Sequence, residues 1–157
     1  MKPDKLYLYS VVLLMLVLPM LSIIFDNWAF QQHDNLIFLT GKWFVFWAIG
    51  LRLFIAGFKQ VFNPSFTLES IFHINSKESQ IVIRELGFAN ICIGLLGTIS
   101  LFAGQFRLSA AIVGGLFLGI AGVYHIIKKP VSKNEAIAMV SDIFVFIVIL
   151  VFVFGSI

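Results

Sequence analysis

The sequence carries few charges and a single cysteine, and both shortages narrow its class. Only 12% of the 157 residues are charged, against about a quarter in a typical soluble domain. The lone Cys92 excludes an internal disulfide and a CxxC redox pair. The apolar fraction of 60% is too large to bury inside so small a globule. A second apolar solvent is therefore required, and a lipid bilayer provides it.

The sequence also lacks the common signatures of catalysis and of cofactor binding. It contains no phosphate-cradling glycine loop and no nucleophile elbow. Its histidines, His33, His73 and His125, are scattered and show no zinc-like spacing. Its basic residues form no stripe typical of nucleic-acid binding. We therefore predict no catalytic residue, no metal, no cofactor and no nucleic-acid partner, and the sequence favours a protein that is not an enzyme.

Long apolar runs are what the sequence has in abundance. A helix that crosses a bilayer needs about 20 mostly apolar residues. Five stretches qualify: residues 6–25, 43–62, 81–102, 108–127 and 136–154. They predict an all-α fold, a polytopic membrane helix bundle of about five transmembrane helices in one membrane domain over residues 1–157. The first run is not followed by a cleavage site, so we expect an uncleaved anchor rather than a signal peptide.

Polar residues between the spans mark where helices begin. Ser132 and Glu135 have the spacing of a capping box at the start of the fifth span. Asn75 and Glu78 have similar spacing before the third span. Between the second and third spans, apolar residues at helical spacing over 66–72 predict a short helix on the membrane surface.

The lysines and arginines are distributed unevenly between the two sides of the membrane. With five spans, eight of them fall on the side of the N-terminus and two on the other side. The eight are Lys2, Lys5, Lys59, Lys77, Arg84, Lys128, Lys129 and Lys133, and the two are Lys42 and Arg107. Because cytoplasmic loops are enriched in these residues, the N-terminus is predicted to be cytoplasmic and the C-terminus outside.

Six polar residues fall within or at the ends of the predicted spans, and they are candidates for a buried polar pocket. They are Arg52, Arg84, Glu85, Asn90, His125 and Asp142. Charges in lipid are expensive and pair with one another, so Arg52 should contact Asp142 or Glu85. An alternative interpretation is structural: paired charges fix helix register, Asn90 makes an interhelical hydrogen bond, and the groups nearest the membrane surface are hydrated.

Glycines recur at helical spacing in the third and fourth predicted spans. They are Gly87, Gly94 and Gly97 in the third span and Gly115, Gly119 and Gly122 in the fourth. Small residues at such spacing let helix backbones approach closely. The sequence therefore predicts that the third and fourth spans form a close pair, and it offers these faces as docking surfaces for a protein partner or a second copy.

Several sequence blocks resemble a known family. They are residues 41–47 (GKWFVFW), 52–57 (RLFIAG), 62–64 (FNP), 84–90 (RELGFAN) and 138–142 (AMVSD). Together they resemble a family of small bacterial multi-pass membrane proteins of unknown function. An arginine before a Phe-x-Pro helix end, then a glutamate-glycine helix, is similar at greater distance to the DoxX-like four-helix proteins. The resemblance implies one extra N-terminal span before a four-helix core, in a bacterial inner membrane.

Three functions are compatible with these features. The polar groups could form a pocket in the cytoplasmic half of the bundle that binds or conducts a small solute or a proton. The protein could be a non-catalytic subunit that binds a partner through its glycine faces. The DoxX-like resemblance implies a third function, a redox-associated protein that faces quinone. Access of water or a ligand to Arg52 would favour the first hypothesis.

Overall fold

The described part of the chain is built from helices. A computed structural model describes residues 4–30, 35–72, 74 and 76–156, and no strand occurs among them. As predicted, five helices are long and apolar enough to cross a membrane: α1 (Lys5–Ala29), α2 (Leu36–Phe62), α3 (Ser79–Ile99), α4 (Gly104–Lys128) and α5 (Lys133–Ser156). The end of the bundle where α1, α3 and α5 begin is called the N-terminal end below.

Helix α2 is longer than the sequence predicted. It begins at Leu36 rather than at residue 43, because apolar residues continue upstream of the tryptophans and Asn35 caps the first turn. The Asn35 side chain accepts a hydrogen bond from the amide of Ile37 (3.0 Å). This cap satisfies one of the free amides with which every helix begins.

Two of the spanning helices contain wider, π-type turns. One covers Leu13–Val17 in α1, where the amide of Leu18 donates to the carbonyl of Leu13. Pro19 follows at once and has no amide to donate, so the widened turn relieves the clash that a proline causes in a regular α-helix. The other covers Val45–Leu51 in α2 and ends directly before Arg52. Turns of this kind often occur at functional sites.

A short helix joins α2 to α3. It covers residues 64–72, with Pro64 at its start, where the missing amide costs nothing. We call it the connecting helix. Leu68 and Ile71 are buried, at 3% and 8% exposure. The predicted short helix therefore exists, but it packs these apolar side chains on the protein rather than presenting them to the membrane surface.

Polar contacts hold the two ends of α1 to different helices. Asp4 caps α1 by accepting from the amide of Tyr7 (3.1 Å), and the Asp4 amide donates to Asn134 Oδ1 at the start of α5 (2.9 Å). Near the other end, the Asp26 carboxylate accepts from Lys42 Nζ of α2 (2.6 Å). Helix α1 is therefore attached to α5 at the N-terminal end and to α2 at the opposite end.

The start of α5 forms half of the predicted capping box. The amide of Glu135 donates to Ser132 Oγ (3.0 Å), as the motif requires. The Glu135 carboxylate, however, accepts from the amide of Val131 (2.9 Å) rather than from that of Ser132. The similar motif predicted before α3 involves Asn75, which lies outside the described residues.

Helices α2 and α3 pair through glycines on both sides of their contact. A Cβ added at Gly57 would lie 2.6 Å from the carbonyl oxygen of Gly87, and one added at Gly97 would lie 2.8 Å from the Cα of Gly50. Gly94 faces the α2 backbone in the same way. These spacings are shorter than van der Waals contact, so only glycine lets the two backbones approach this closely.

Helix α4 pairs with α5, whose bulky side chains fill the hollows that the α4 glycines leave. A Cβ would lie 2.7 Å from Ile149 if added at Gly115, 2.6 Å from Phe146 if added at Gly119, and 2.8 Å from Ile143 if added at Gly122. The prediction that the third and fourth spans form the close pair is therefore wrong. The glycine faces of α3 and α4 are covered by α2 and α5 respectively, so they are not open to a protein partner.

Candidate functional site

An ion pair joins α2 to α5 inside the bundle. Arg52 Nη2 lies 2.7 Å from Asp142 Oδ1, and the two side chains are 12% and 9% exposed. The prediction that Arg52 contacts a buried carboxylate is confirmed, with Asp142 as the partner. Neither charge could stay alone in apolar surroundings without a large penalty, so each stabilises the other.

A second polar contact joins α2 to α3. Asn90 Nδ2 donates to Gln60 Oε1 (2.7 Å), and Asn90 is 4% exposed. The interpretation of Asn90 as an interhelical hydrogen-bond contact is therefore correct. The side-chain oxygen of Asn90, Oδ1, is buried and has no hydrogen-bond partner within the described residues.

These polar groups surround a cavity of about 220 Å³ near the N-terminal end. Its polar lining comes from all five spanning helices and the connecting helix: Tyr7, Ser10, Arg52, Lys59, Gln60, Thr67, Asn90, His125 and Asp142. Arg52 Nη1 is buried without a hydrogen-bond partner in the described part of the chain, as is Asn90 Oδ1. Such a volume is large enough to hold water.

The opposite half of the bundle is closely packed instead. Several apolar side chains there are fully inaccessible to solvent: Val45, Ala48, Ile49 and Ala110. A buried donor and a buried acceptor without partners are uncommon in a folded protein and need an explanation. The polar cavity next to this apolar core explains them, because a bound molecule could satisfy both groups.

His125 links the cavity to a buried carboxylate at the start of α5. It lines the cavity, and its Nδ1 lies 3.2 Å from Glu135 Oε1. Lys128 Nζ lies 3.3 Å from the same oxygen. Glu135 is completely buried, so this cluster fixes the turn between α4 and α5 next to the cavity.

Two of the predicted pocket residues lie elsewhere. Arg84 and Glu85 are exposed, so the prediction that they join the buried group is wrong. They follow the start of α3 by about 7–9 Å at 1.5 Å per residue. At that depth their long side chains reach the membrane surface while the glycine face of α3 packs on α2.

The cavity also contains residues that the sequence did not single out. Two of them are Tyr7 and Gln60, both near the ends of their helices. At the opposite end, Asp26 accepts from the Trp43 indole (2.9 Å) as well as from Lys42. Asp26 lies one residue beyond the predicted end of the first span, which is why its burial, at 8% exposure, was missed.

No group of three or more histidine, cysteine or carboxylate side chains able to hold a metal occurs in the part of the chain that the structure describes. His33 and His73 lie outside that part. Cys92 is exposed and, two residues after Asn90, lies on the opposite side of α3 from it. The chemistry of the site therefore rests on the charged and amide groups around Arg52.

Comparison with known proteins gives one family. A model of a family of unknown function, DUF6790, matches residues 8–156. The chain belongs to the DUF6790 family. The part of the sequence resemblance that pointed to a family of unknown function is thereby confirmed, whereas its DoxX-like part stays a prediction. No curated protein and no solved structure matches the chain.

Proposed function

We propose that this DUF6790 protein is a small integral membrane protein that binds or conducts a small solute or a proton through the cavity around Arg52. The observation that carries the proposal is that Arg52 and Asn90 both line one cavity and that each has a buried polar atom, Nη1 and Oδ1, with no hydrogen-bond partner within the described residues. One is a donor and the other an acceptor, so a molecule with both kinds of group would satisfy them together.

The Arg52–Asp142 pair supports this proposal over a purely structural role. Water weakens the attraction between paired charges, and this pair lines an open cavity. The nearby Gln60 and Asn90 amides add hydrogen-bonding groups that a register device does not require.

We further propose that the N-terminal end of the bundle faces the cytoplasm of a bacterial cell and that the protein lies in the inner membrane. The eight-to-two distribution of lysine and arginine supports this orientation. The cavity would then open in the cytoplasmic half of the membrane, and Asp26 with Lys42 would lie in the outer half.

Cysteine reactivity tests whether the cavity is hydrated. In a Cys92→Ser background, Ala56→Cys places a thiol on the cavity wall, because Ala56 lines it. Ala48→Cys on the same helix is the matched control, since Ala48 is completely buried away from the cavity. We expect methyl methanethiosulfonate, a small neutral reagent, to modify the first variant and not the second, because reaction needs a hydrated thiolate.

Equal protection of both cysteines would mean that the cavity is sealed and would refute the proposed function.

A flux assay then separates binding from conduction. Liposomes that contain the protein and an internal pH-sensitive dye should acidify faster than empty liposomes if protons pass through the cavity. Asp142→Asn should reduce that flux, whereas Glu78→Gln, at an exposed site, should not.

A further inference from the structure

The part of α1 at the N-terminal end of the bundle makes few backbone contacts with α2. Residues Lys5–Val12 pack chiefly against α5, whereas Leu13–Val17 and the rest of α1 pack against α2. The Asp4–Asn134 hydrogen bond holds the start of α1 to α5. At the opposite end, the Trp47 indole donates to Ser22 Oγ (2.9 Å) and holds α1 to α2. At the N-terminal end the two helices therefore have little backbone contact, and the Tyr7 side chain reaches towards Arg52 across the gap between them.

The cavity reaches the protein surface through this gap. Ser10 and Leu14 of α1 line the cavity on one side of the gap, and Ile55 and Lys59 of α2 line it on the other. Ser10 and Lys59 are exposed, and Ile55 is 53% exposed although it also lines the cavity. A side chain that is both exposed and part of the lining marks the mouth of the cavity.

The mouth lies at membrane depth. Ile55 is seven residues from the end of α2, or about 10 Å at 1.5 Å per residue, and Ser10 is about 7 Å from the start of α1 by the same measure. Both positions fall inside helices long and apolar enough to cross a membrane. The gap therefore faces lipid.

The connecting helix covers the cavity on the side of the membrane surface. Phe66 lines the cavity and lies between two neighbours: the Tyr7 ring, with 6.3 Å between centroids, and Lys59 Nζ, 3.2 Å from the Phe66 centroid. Thr67 and Ile71 of the same helix complete this cover. The connecting helix therefore stands between the cavity and the water on this side.

The charges on the cavity wall indicate the kind of head group that fits. The lining contains two basic side chains, Arg52 and Lys59, and one carboxylate, Asp142; the Asp4 carboxylate acts on Lys59 from outside the lining. Asp142 already pairs with Arg52 through Nη2, and Nη1 has no hydrogen-bond partner within the described residues. A negatively charged head group would be attracted by Lys59 at the mouth and by Arg52 deeper inside. Apolar side chains at the mouth, Leu14 and Ile55, suit a hydrocarbon chain.

We propose that the ligand enters sideways from the bilayer between α1 and α2, and that it is a single-chain amphiphile with one negative charge, such as a long-chain carboxylate. This inference rests on the proposed function, because it names the class of molecule that the same cavity takes. The head group lies beside Arg52 and Lys59 and accepts from Arg52, water that enters with it donates to Asn90 Oδ1, and the chain extends through the gap into lipid.

Photo-crosslinking tests the inference on the full-length protein in phosphatidylcholine nanodiscs. The probe is palmitate with a diazirine in its chain, and the modified peptides are mapped by mass spectrometry. We expect crosslinks to the α1 and α2 segments that contain Leu14 and Ile55, and competition by unlabelled oleate. Lys59→Gln should weaken labelling by about two- to fivefold, the effect of one exposed ion pair.

Closing the mouth provides the decisive variant. Ile55→Trp, or Ser10→Trp from the other side, should abolish most of this labelling. Ile147→Trp is the matched control, because Ile147 is an equally exposed isoleucine, at 55%, and does not line the cavity. Because all three positions are exposed, the larger ring needs no space in the packed core, and the yield of monodisperse protein checks folding.

The outcomes separate this inference from the proposed function. Equal labelling of the Ile55→Trp and Ile147→Trp variants would overturn the lateral route. Competition by oleyl alcohol as strong as that by oleate would overturn the negative head group, and equal competition by acetate would show that the chain is not recognised. If Ala56→Cys still reacts with methyl methanethiosulfonate in any of these cases, the hydrated cavity stands and only its ligand class is wrong.

Discussion

Arg52 and Asp142 are ninety residues apart in the chain and meet at the cavity wall, with 2.7 Å between Nη2 and Oδ1. The contact binds α2 to α5 and leaves Nη1 of the same guanidinium without a hydrogen-bond partner in the described part of the chain. One nitrogen of the arginine therefore pairs with a buried charge, while the other has no partner in a side chain that lines the cavity.

Replacing one residue of this pair should lower the stability of the protein more than replacing both residues. Arg52→Gln strands a buried carboxylate, and loss of one partner of a buried pair costs about 3–5 kcal/mol. The double variant Arg52→Gln with Asp142→Asn should recover much of that loss. Thermal unfolding followed by tryptophan fluorescence measures all three. Arg84→Gln, at an exposed arginine, is the control and should change the free energy of unfolding by less than about 0.5 kcal/mol.

Simple additivity of the two single changes would contradict this account, because residues in contact show interaction energies of about 0.5–3 kcal/mol in a double-mutant cycle.

The α2–α3 contact predicts a strong effect from a single methyl group. Gly94→Ala would push a Cβ into the backbone of Phe54, which cannot move aside as a side chain can. Overpacking of this kind costs about 1–3 kcal/mol. Gly104→Ala is the matched control, since the nearest atom to its Cβ would be the far end of Arg107 at 3.7 Å. Equal unfolding temperatures for the two variants would show that the helices are not packed this closely.

The buried Glu135 should be needed for the turn between α4 and α5. Its carboxylate accepts from the Val131 amide and lies beside both His125 and Lys128. Hydrogen bonds to a charged group are worth about 1.5–3 kcal/mol, so Glu135→Gln should lower the free energy of unfolding by that order. Glu69→Gln, at an exposed glutamate, should leave it nearly unchanged. A stability change as small as that of the control would mean that the cluster is not formed.

Much of the fold could be predicted because lipid imposes simple requirements. Apolar length placed all five spans, and the cost of a buried charge required a partner for Arg52. The sequence could not show which helices pair. Gly87 and Gly115 reveal that a backbone approaches closely, but the partner depends on complementary shapes such as Gly57 on α2 and Ile149 on α5.

The cavity itself was harder to predict than its charges. Tyr7 and Gln60 lie near helix ends, where a polar side chain is usually hydrated, yet both line the cavity. Arg84 shows the opposite error: it was predicted to belong to the buried pocket, and its side chain is exposed. One turn along a helix decides between the membrane surface and the interior, and sequence spacing does not resolve that step.

Reporter fusions test the proposed orientation. A reporter that is active only in the cytoplasm should be active when fused after Lys77 or Lys133 and inactive after Asn35. This expectation follows from the distribution of lysine and arginine. Activity of the same reporter when it is fused to the C-terminus would contradict five spans with a cytoplasmic N-terminus.

The most direct test of the central claim is an experimental structure of the protein in a lipid nanodisc at a resolution that shows water. The account predicts density for water or a ligand head group within hydrogen-bond distance, about 3 Å, of both Arg52 Nη1 and Asn90 Oδ1. A cavity closed by side chains, with both atoms bonded to protein and no density between them, would contradict it.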